Sequence, residues 1–177
     1  MTSPSSVIIV MGVMGSGKTT VGQRLATRLG GAFYDADEFH SDSNRAKMIA
    51  GDALTEADRK PWLATLRREI EQWLQSSEAV VLACSALRQQ YRDQLTVDDH
   101  RVGFVHLSGD PARLRERVTK RTGHFMPAKL LDSQLATLEP PLDALTLDIE
   151  LSPEQLVDEI VLALATKKRR GFWLETS

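Results

Sequence analysis

The sequence predicts an α/β fold in which a parallel sheet is covered by helices, and two observations support this prediction. Short apolar runs rich in branched side chains alternate along the chain with segments of helical periodicity. The first of these runs, residues 7–11, is apolar at every position, as expected for a strand buried on both faces of a sheet. Repetition of this strand–helix unit predicts a doubly wound parallel sheet.

The elements follow one another in order along the chain. The predicted strands cover residues 7–11, 32–35, 79–83, 102–107 and 145–151. Helical spacing or a helix-starting proline predicts helices over residues 19–29, 61–74, 87–95, 110–121 and from 153 onwards. Thr55 and Asp58 have the spacing of a capping box before the second helix. The polar segment 36–55 has few periodic apolar residues, so we expect it to be exposed.

Composition limits the classes of protein to which the chain can belong. Its 177 residues, 42% of them hydrophobic, are enough for one domain with a sizeable core. The chain has a net charge of -2 and so lacks the excess of positive charge that is typical of nucleic-acid-binding proteins. The apolar runs are far shorter than the roughly 20 residues that a membrane-spanning helix needs. We therefore expect one domain, over residues 1–177, with neither nucleic acid nor membrane as a partner.

The first residues and the cysteine content predict a cytoplasmic location. The N-terminal segment lacks the positive start and long apolar stretch of a secretory signal. Cys84 is the only cysteine, and the four histidines form no zinc-binding pattern. Any metal should therefore be held by oxygen ligands.

A glycine-rich turn after the first strand carries the strongest chemical signal. Residues 12–19 read Gly-Val-Met-Gly-Ser-Gly-Lys-Thr and fit the phosphate-binding pattern Gly-x-x-x-x-Gly-Lys-Ser/Thr, between a predicted strand and a predicted helix. Glycines let backbone N–H groups turn towards phosphates, and the start of the helix adds its positive end. Lys18 should reach the β and γ phosphates of ATP, and the Thr19 hydroxyl should hold Mg²⁺. An incidental glycine-rich turn is the alternative. The predicted nucleotide-binding residues are Gly12, Gly15, Ser16, Gly17, Lys18 and Thr19.

Nucleotide binding alone leaves a nucleotide-dependent switch open as an alternative to a kinase. A guanine-nucleotide switch would normally carry an Asn-Lys-x-Asp motif, and the sequence has none. No Asp-x-x-Gly follows the third predicted strand either. The absence of these motifs favours a small-metabolite kinase, and it leaves the identity of the metabolite open.

Two further strand ends carry residues that suit an acceptor site. Asp35 and Asp37 follow the second strand, where ligands collect outside the carboxyl ends of parallel strands. One carboxylate could organise the hydration shell of Mg²⁺ while the other accepts the proton of an attacking hydroxyl. Ser85 and Arg88 follow the third strand, and Arg88 would suit a carboxylate. Solvated turn aspartates and an ordinary surface arginine are the alternatives.

A basic helix and the break after it predict a mobile lid around residues 117–130. A lid of this kind closes over ATP, adds positive charge and excludes water. Arg117 and Arg121 lie one turn apart and share a face of this helix. A solvated basic helix is the alternative. The basic residues are Arg113, Arg115, Arg117, Lys120 and Arg121.

With these motifs, the sequence resembles the bacterial-type gluconokinases, within the shikimate-kinase-like group of P-loop kinases. The resemblance covers nearly the whole chain. Cys84 and Ser85 replace the glycine pair that follows the third strand of shikimate kinases. The stretches that carry the resemblance are 12–20, 35–37 with His40, Asn44, Lys47 and Met48, then 58–63, 84–87 with 91–93, and 123–125.

The resemblance implies a fold, an activity and roles for individual residues. The fold is the three-layer sandwich of P-loop NTPases, a five-stranded parallel sheet flanked by helices. The activity is transfer of a phosphoryl group from ATP to the 6-hydroxyl of D-gluconate, with Mg²⁺, in a homodimer. The implied catalytic residues are Lys18, Asp37 and Arg121. Thr19 and Asp35 would hold the metal. Thr20 and Arg117 would belong to the nucleotide site, where Arg117 would stack on adenine. The implied contacts to gluconate are Asp37, His40, Lys47, Arg59, Ser85 and Arg88.

Overall fold

The predicted five-stranded parallel sheet is confirmed. A computed structural model of the chain describes residues 5–122, 125–166 and 172. Neighbouring strands pair in parallel, in the order β2-β3-β1-β4-β5. Because β1 lies at the centre, the loop after it opens at the middle of the carboxyl edge of the sheet. The strands are β1 (Val7–Met11), β2 (Ala32–Asp35), β3 (Val80–Ala83), β4 (Val102–Ser108) and β5 (Leu145–Asp148).

Helices cover both faces of the sheet. A short 3₁₀ turn, Ala36–Phe39, follows β2 directly. The helices are α1 (Lys18–Leu29), α2 (Asp42–Ile49), α3 (Glu56–Trp73), α4 (Gln89–Leu95), α5 (Pro111–Thr122), α6 (Phe125–Thr137) and α7 (Pro153–Ala165). Among the described residues, no helix has the length and apolar character needed to cross a membrane.

Alternate residues of β1 serve two separate hydrophobic cores. Ile8 and Val10 face a core that includes Leu25 of α1 and Ile160 of α7. Val7, Ile9 and Met11 face the other core, which is formed with residues of α3 and α4 such as Leu66, Ile70 and Leu95. Successive side chains of a strand point to opposite faces, so one buried strand organises both layers. The burial of β1 on both faces explains why residues 7–11 are apolar at every position.

Most of the segment over residues 36–55 is exposed, as expected, but it also contains buried polar residues and a helix. It contains α2, and within it His40 and Asn44 are only 7% and 5% exposed. The Ser41 hydroxyl accepts a hydrogen bond from the Asn44 N–H at 3.1 Å and so caps α2. This polar helix had no apolar periodicity by which it could be recognised.

The structure differs most from the predicted elements at the start of α3, at the end of β5 and in an additional helix, α6. α3 begins at Glu56, because Thr55 and Asp58 form the predicted capping box: the Asp58 N–H donates to Thr55 Oγ1 and the Thr55 N–H donates to Asp58 Oδ2. β5 ends at Asp148 rather than at residue 151, because the Asp148 side chain accepts the Glu150 N–H and starts a turn. α6 was not predicted, because Gly123 and Pro127 suggested only a break. A proline in the first turn of a helix is tolerated.

The lid predicted around residues 117–130 coincides with the end of α5 and the start of α6. Residues 123–124 lie outside the described residues, and mobility of this region stays a prediction. The helix predicted over residues 110–121 is confirmed as α5.

Candidate active site

The loop over residues 12–19 connects β1 to α1 through a backbone path that requires glycine. Gly12 has φ +147°, and a Cβ there would lie 2.8 Å from the Leu107 carbonyl oxygen. Gly15 has φ +79°, and a Cβ there would lie 2.7 Å from a methyl group of Val118. Gly17, also at positive φ, precedes α1 without a side-chain cap, so the first N–H groups of the helix are left for another acceptor.

A buried hydroxyl within this loop lacks a partner. Ser16 is 1% exposed, and its Oγ has no hydrogen-bond partner among the residues that the structure describes. A phosphate fits this cradle, because uncapped helix N–H groups and an unpaired hydroxyl match the acceptor oxygens of an anion. The chemistry of the loop therefore agrees with the predicted nucleotide site.

Lys18 lies where the loop meets two carboxylates. Its Nζ donates to the Val13 carbonyl oxygen at 3.1 Å. Burial lowers the pKa of Lys18, while the nearby charges of Asp37 and Asp35 oppose that shift and Arg121 adds to it. The structure thus brings the three predicted catalytic residues, Lys18, Asp37 and Arg121, to one place.

Thr19, Asp35 and Asp37 form a small oxygen-rich cluster at the end of β2. Thr19 Oγ1 donates to Asp35 Oδ2 at 3.3 Å, and the other oxygen of Asp35 accepts the Asp37 N–H at 3.0 Å. Within the described ranges no three His, Cys, Asp or Glu residues group as metal ligands. The hydroxyl and carboxylate fit Mg²⁺, which prefers oxygen and usually keeps several waters.

The two aspartates differ in their surroundings. The Asp37 side chain lines the cleft and is 67% exposed, yet partial loss of hydration on the protein side of the carboxyl group raises its pKa. The neighbouring charge of Asp35 raises the pKa further, and Lys18 opposes both effects. A carboxylate with a raised pKa holds a proton more strongly, which suits a general base.

His40 is buried beside Asp37. Its ring stacks on Trp62 with centroids 4.3 Å apart, and its Nε2 lies 3.8 Å from Asp37 Oδ1. Burial, with the positive charges of Arg45 and Arg59, lowers the pKa of His40 to about 4. His40 is therefore neutral at pH 7 and can both donate and accept a hydrogen bond.

A group of charged side chains lies between α3 and the start of α4. Arg59 Nη1 donates to the Tyr91 hydroxyl oxygen at 3.4 Å and lies 3.5 Å from Glu56 Oε1. The guanidinium group of Arg59 also lies over the Tyr91 ring. The Tyr91 hydroxyl donates to Glu56, and Arg88 pairs with the same carboxylate at 3.3 Å. Arg59 and Tyr91 line the cleft.

These groups surround one cleft of about 420 Å³, a volume typical of small-molecule sites. The predicted site residues that line it are Gly15, Gly17, Lys18, Thr19, Thr20, Asp35, Asp37, His40, Arg59, Ser85 and Arg121. The predicted site residues outside its lining are Gly12, Ser16, Lys47, Arg88 and Arg117. Gly12 and Ser16 are buried residues of the loop itself.

Lys47 and Arg117 have partners elsewhere. Lys47 Nζ donates to both oxygens of Asp58 at 2.9 Å. The hydrogen bond from the Thr55 N–H and those from Lys47 lower the pKa of Asp58 to about 2. Arg117 donates to the Ile149 carbonyl oxygen at 2.6 Å. The ion pair between Lys47 and Asp58 joins α2 to α3. The hydrogen bond from Arg117 to Ile149 joins α5 to the turn after β5.

Sequence reasoning missed several residues that line the cleft. Trp62 had no chemical role assigned to it within the resembling stretch 58–63; its ring stacks on His40, and its Nε1 donates to the Ala36 carbonyl oxygen. Tyr91 was noted only within a resembling stretch. Gln134 carried no signal, because its helix was not predicted. The other missed residues include Asp52, Leu54, Leu130, Ser133 and Thr137.

Fold and cleft together define a small P-loop kinase. The family model described as "Shikimate kinase" matches residues 14–164. The chain is 45% identical over 157 residues to the gluconokinase of Gluconobacter oxydans, covering 87% of this chain and 88% of that protein. The chain therefore belongs to the shikimate kinase family and, within it, to the gluconokinases.

Solved structures agree with this assignment. A gluconokinase from Sinorhizobium meliloti has a TM-score of 0.79 and 42% identity, covering 90% of each chain. A sugar kinase from Janibacter has a TM-score of 0.82 and 42% identity, covering 90% of this chain and 94% of that one. The predicted resemblance to gluconokinases is confirmed.

The burial of His40 generates a prediction about protonation. We expect its imidazole, followed by NMR, to stay neutral at pH 5.5, because its pKa is about 4. Between pH 6.5 and pH 4 the unfolded chain then binds a proton that the folded chain does not, so the contribution of His40 to stability falls as the pH falls. A titration midpoint near 6.5 would contradict the described burial.

Proposed function

We propose that the chain transfers the γ-phosphoryl group of ATP to the 6-hydroxyl of D-gluconate, giving 6-phosphogluconate and ADP. One observation carries the proposal: a phosphate-binding loop with Lys18 and a carboxylate with a raised pKa, Asp37, lie in the same cleft. Membership of the gluconokinases supports the choice of acceptor.

The loop and Lys18 would bind the phosphates. Backbone N–H groups of the loop donate to phosphate oxygens, and Lys18 neutralises charge that grows on the β and γ phosphates during transfer. Thr19 and Asp35 would hold Mg²⁺. The ion, when bound, supplies further neutralisation of the phosphates.

Asp37 would act as the general base. Its carboxylate accepts the proton of the acceptor hydroxyl as the bond to phosphorus forms, and its raised pKa strengthens it for that task. The neutral His40, beside Asp37, would position a substrate hydroxyl without adding charge. Transfer then needs no covalent intermediate on the protein.

Arg59 is the best-placed cation for the carboxylate of gluconate, because it lines the cleft and a planar guanidinium can bind a carboxylate through two hydrogen bonds. Ser85 would add a neutral hydrogen bond. Lys47 and Arg88 are held by Asp58 and Glu56, so we assign them to the positioning of α3 and of Arg59.

Arg121 and Arg117 would complete the donor site. Arg121 lines the cleft near Lys18 and would add positive charge to the transferring phosphoryl group. Arg117 would stack on adenine from the lid around residues 117–130. We further propose that the chain is one kinase domain that works in the cytoplasm as a homodimer and binds no nucleic acid, with support from the sequence resemblance and the net charge of -2.

ADP release in the presence of different acceptors tests the proposed reaction. With Mg²⁺ and ATP, we expect gluconate to raise the rate of ADP release far above the rate without an acceptor, while shikimate and nucleoside monophosphates do not. Turnover with another acceptor would overturn the assignment of gluconate. Hydrolysis independent of every acceptor would favour a nucleotide-dependent switch instead.

Replacing the proposed base separates chemistry from nucleotide binding. Asp37→Asn should lower kcat by about a hundredfold or more, because the amide cannot accept the proton. ATP affinity, measured by titration, should be nearly unchanged. Loss of ATP affinity with an unchanged kcat would place Asp37 in the nucleotide site instead.

A further inference from the structure

Gln134 joins α6 to the phosphate-binding loop. Its Oε1 accepts a hydrogen bond from the Met14 N–H at 2.7 Å, although the two residues are 120 positions apart in the sequence. Met14 lies within the loop over residues 12–19, whose N–H groups are the ones that bind phosphates. The carbonyl oxygen of Gln134 thus occupies one of these donors.

This contact fixes the orientation of the Gln134 amide. A backbone N–H can only donate, so the oxygen of the side chain must face the loop and the NH₂ group must point elsewhere. Within the part of the chain that the structure describes, no acceptor is hydrogen-bonded to this NH₂ group, and Gln134 lines the cleft. A neutral donor is therefore available beside the phosphate-binding loop.

α6 is held in place at both sides of Gln134. Asp132 pairs with Arg115 of α5 at 2.7 Å. At the end of the helix, the Glu139 N–H donates to the Leu87 carbonyl oxygen at 2.8 Å, and the buried Arg92 donates to the Glu139 carbonyl oxygen. The position of Gln134 over the loop is thus set by contacts with several elements.

We propose that Gln134 is a phosphate-binding residue that recognises the terminal phosphate of ATP. Its Oε1 orients the loop through Met14, and its NH₂ group donates to an oxygen of the γ phosphate. The inference rests on the proposed use of ATP as donor. A contact to the γ phosphate helps the protein to bind ATP in preference to ADP, since ADP lacks the group that is recognised.

The test compares ATP and ADP affinities by calorimetric titration with Mg²⁺. In Gln134→Met, which removes both polar groups, we expect the ratio of ATP affinity to ADP affinity to fall about tenfold, as for one lost hydrogen bond to a charged group. Gln134→Glu keeps an acceptor for the Met14 N–H and removes only the donor, so the ratio should fall at least as far.

The ratio of ATP affinity to ADP affinity distinguishes a contact to the γ phosphate from a purely structural role of Gln134. If Gln134 only braces the loop, Gln134→Met weakens ATP and ADP binding together, the ratio is unchanged, and the proposal is overturned. Should Gln134→Met fail to fold, the same ratio in Gln134→Glu decides in its place. Ala136→Glu adds the same charge at an exposed position of α6 outside the cleft lining and should leave the ratio unchanged.

The proposed reaction is tested separately. If the native protein does not phosphorylate gluconate while Gln134→Met loses ATP affinity selectively, the acceptor assignment fails and the role of Gln134 stands.

Discussion

The backbone path of the loop over residues 12–19 is the constraint on which the rest of the active site depends. Gly12 and Gly15 adopt positive φ where a Cβ would collide with Leu107 and Val118. This path places Lys18 and Thr19 at the start of α1, next to the end of β2. Because the strand before the loop is central and buried on both faces, two hydrophobic cores fix the position of the loop.

The local surroundings give neighbouring groups different chemical properties. Asp35 receives hydrogen bonds from Thr19 and from the Asp37 backbone, whereas Asp37 faces the cleft with a raised pKa. His40, only a short distance away, is kept neutral by burial against Trp62. Two adjacent carboxylates in unlike environments can thus divide metal binding and proton transfer between them.

The sequence predicted the sheet and the phosphate-binding loop well, because both depend on local patterns: a buried apolar strand, then glycines at fixed spacing. Elements and contacts that depend on tertiary packing were predicted less well. α2 forms around a capping serine and the buried polar residue Asn44, without apolar periodicity. Gln134 reaches the loop from a helix that followed an apparent break. The ion pairs that hold Lys47 and Arg88 join helices and could not be read from spacing along the chain.

Identification of the product tests the central claim, direct transfer from ATP to the acceptor within one cleft, most directly. The protein, Mg²⁺, ATP and gluconate are incubated, and the products are followed by ³¹P NMR. We expect one phosphate ester per ADP formed, with its phosphorus coupled to the two protons on C6 of gluconate. ADP accompanied by inorganic phosphate alone, or an ester at another carbon, would contradict the account.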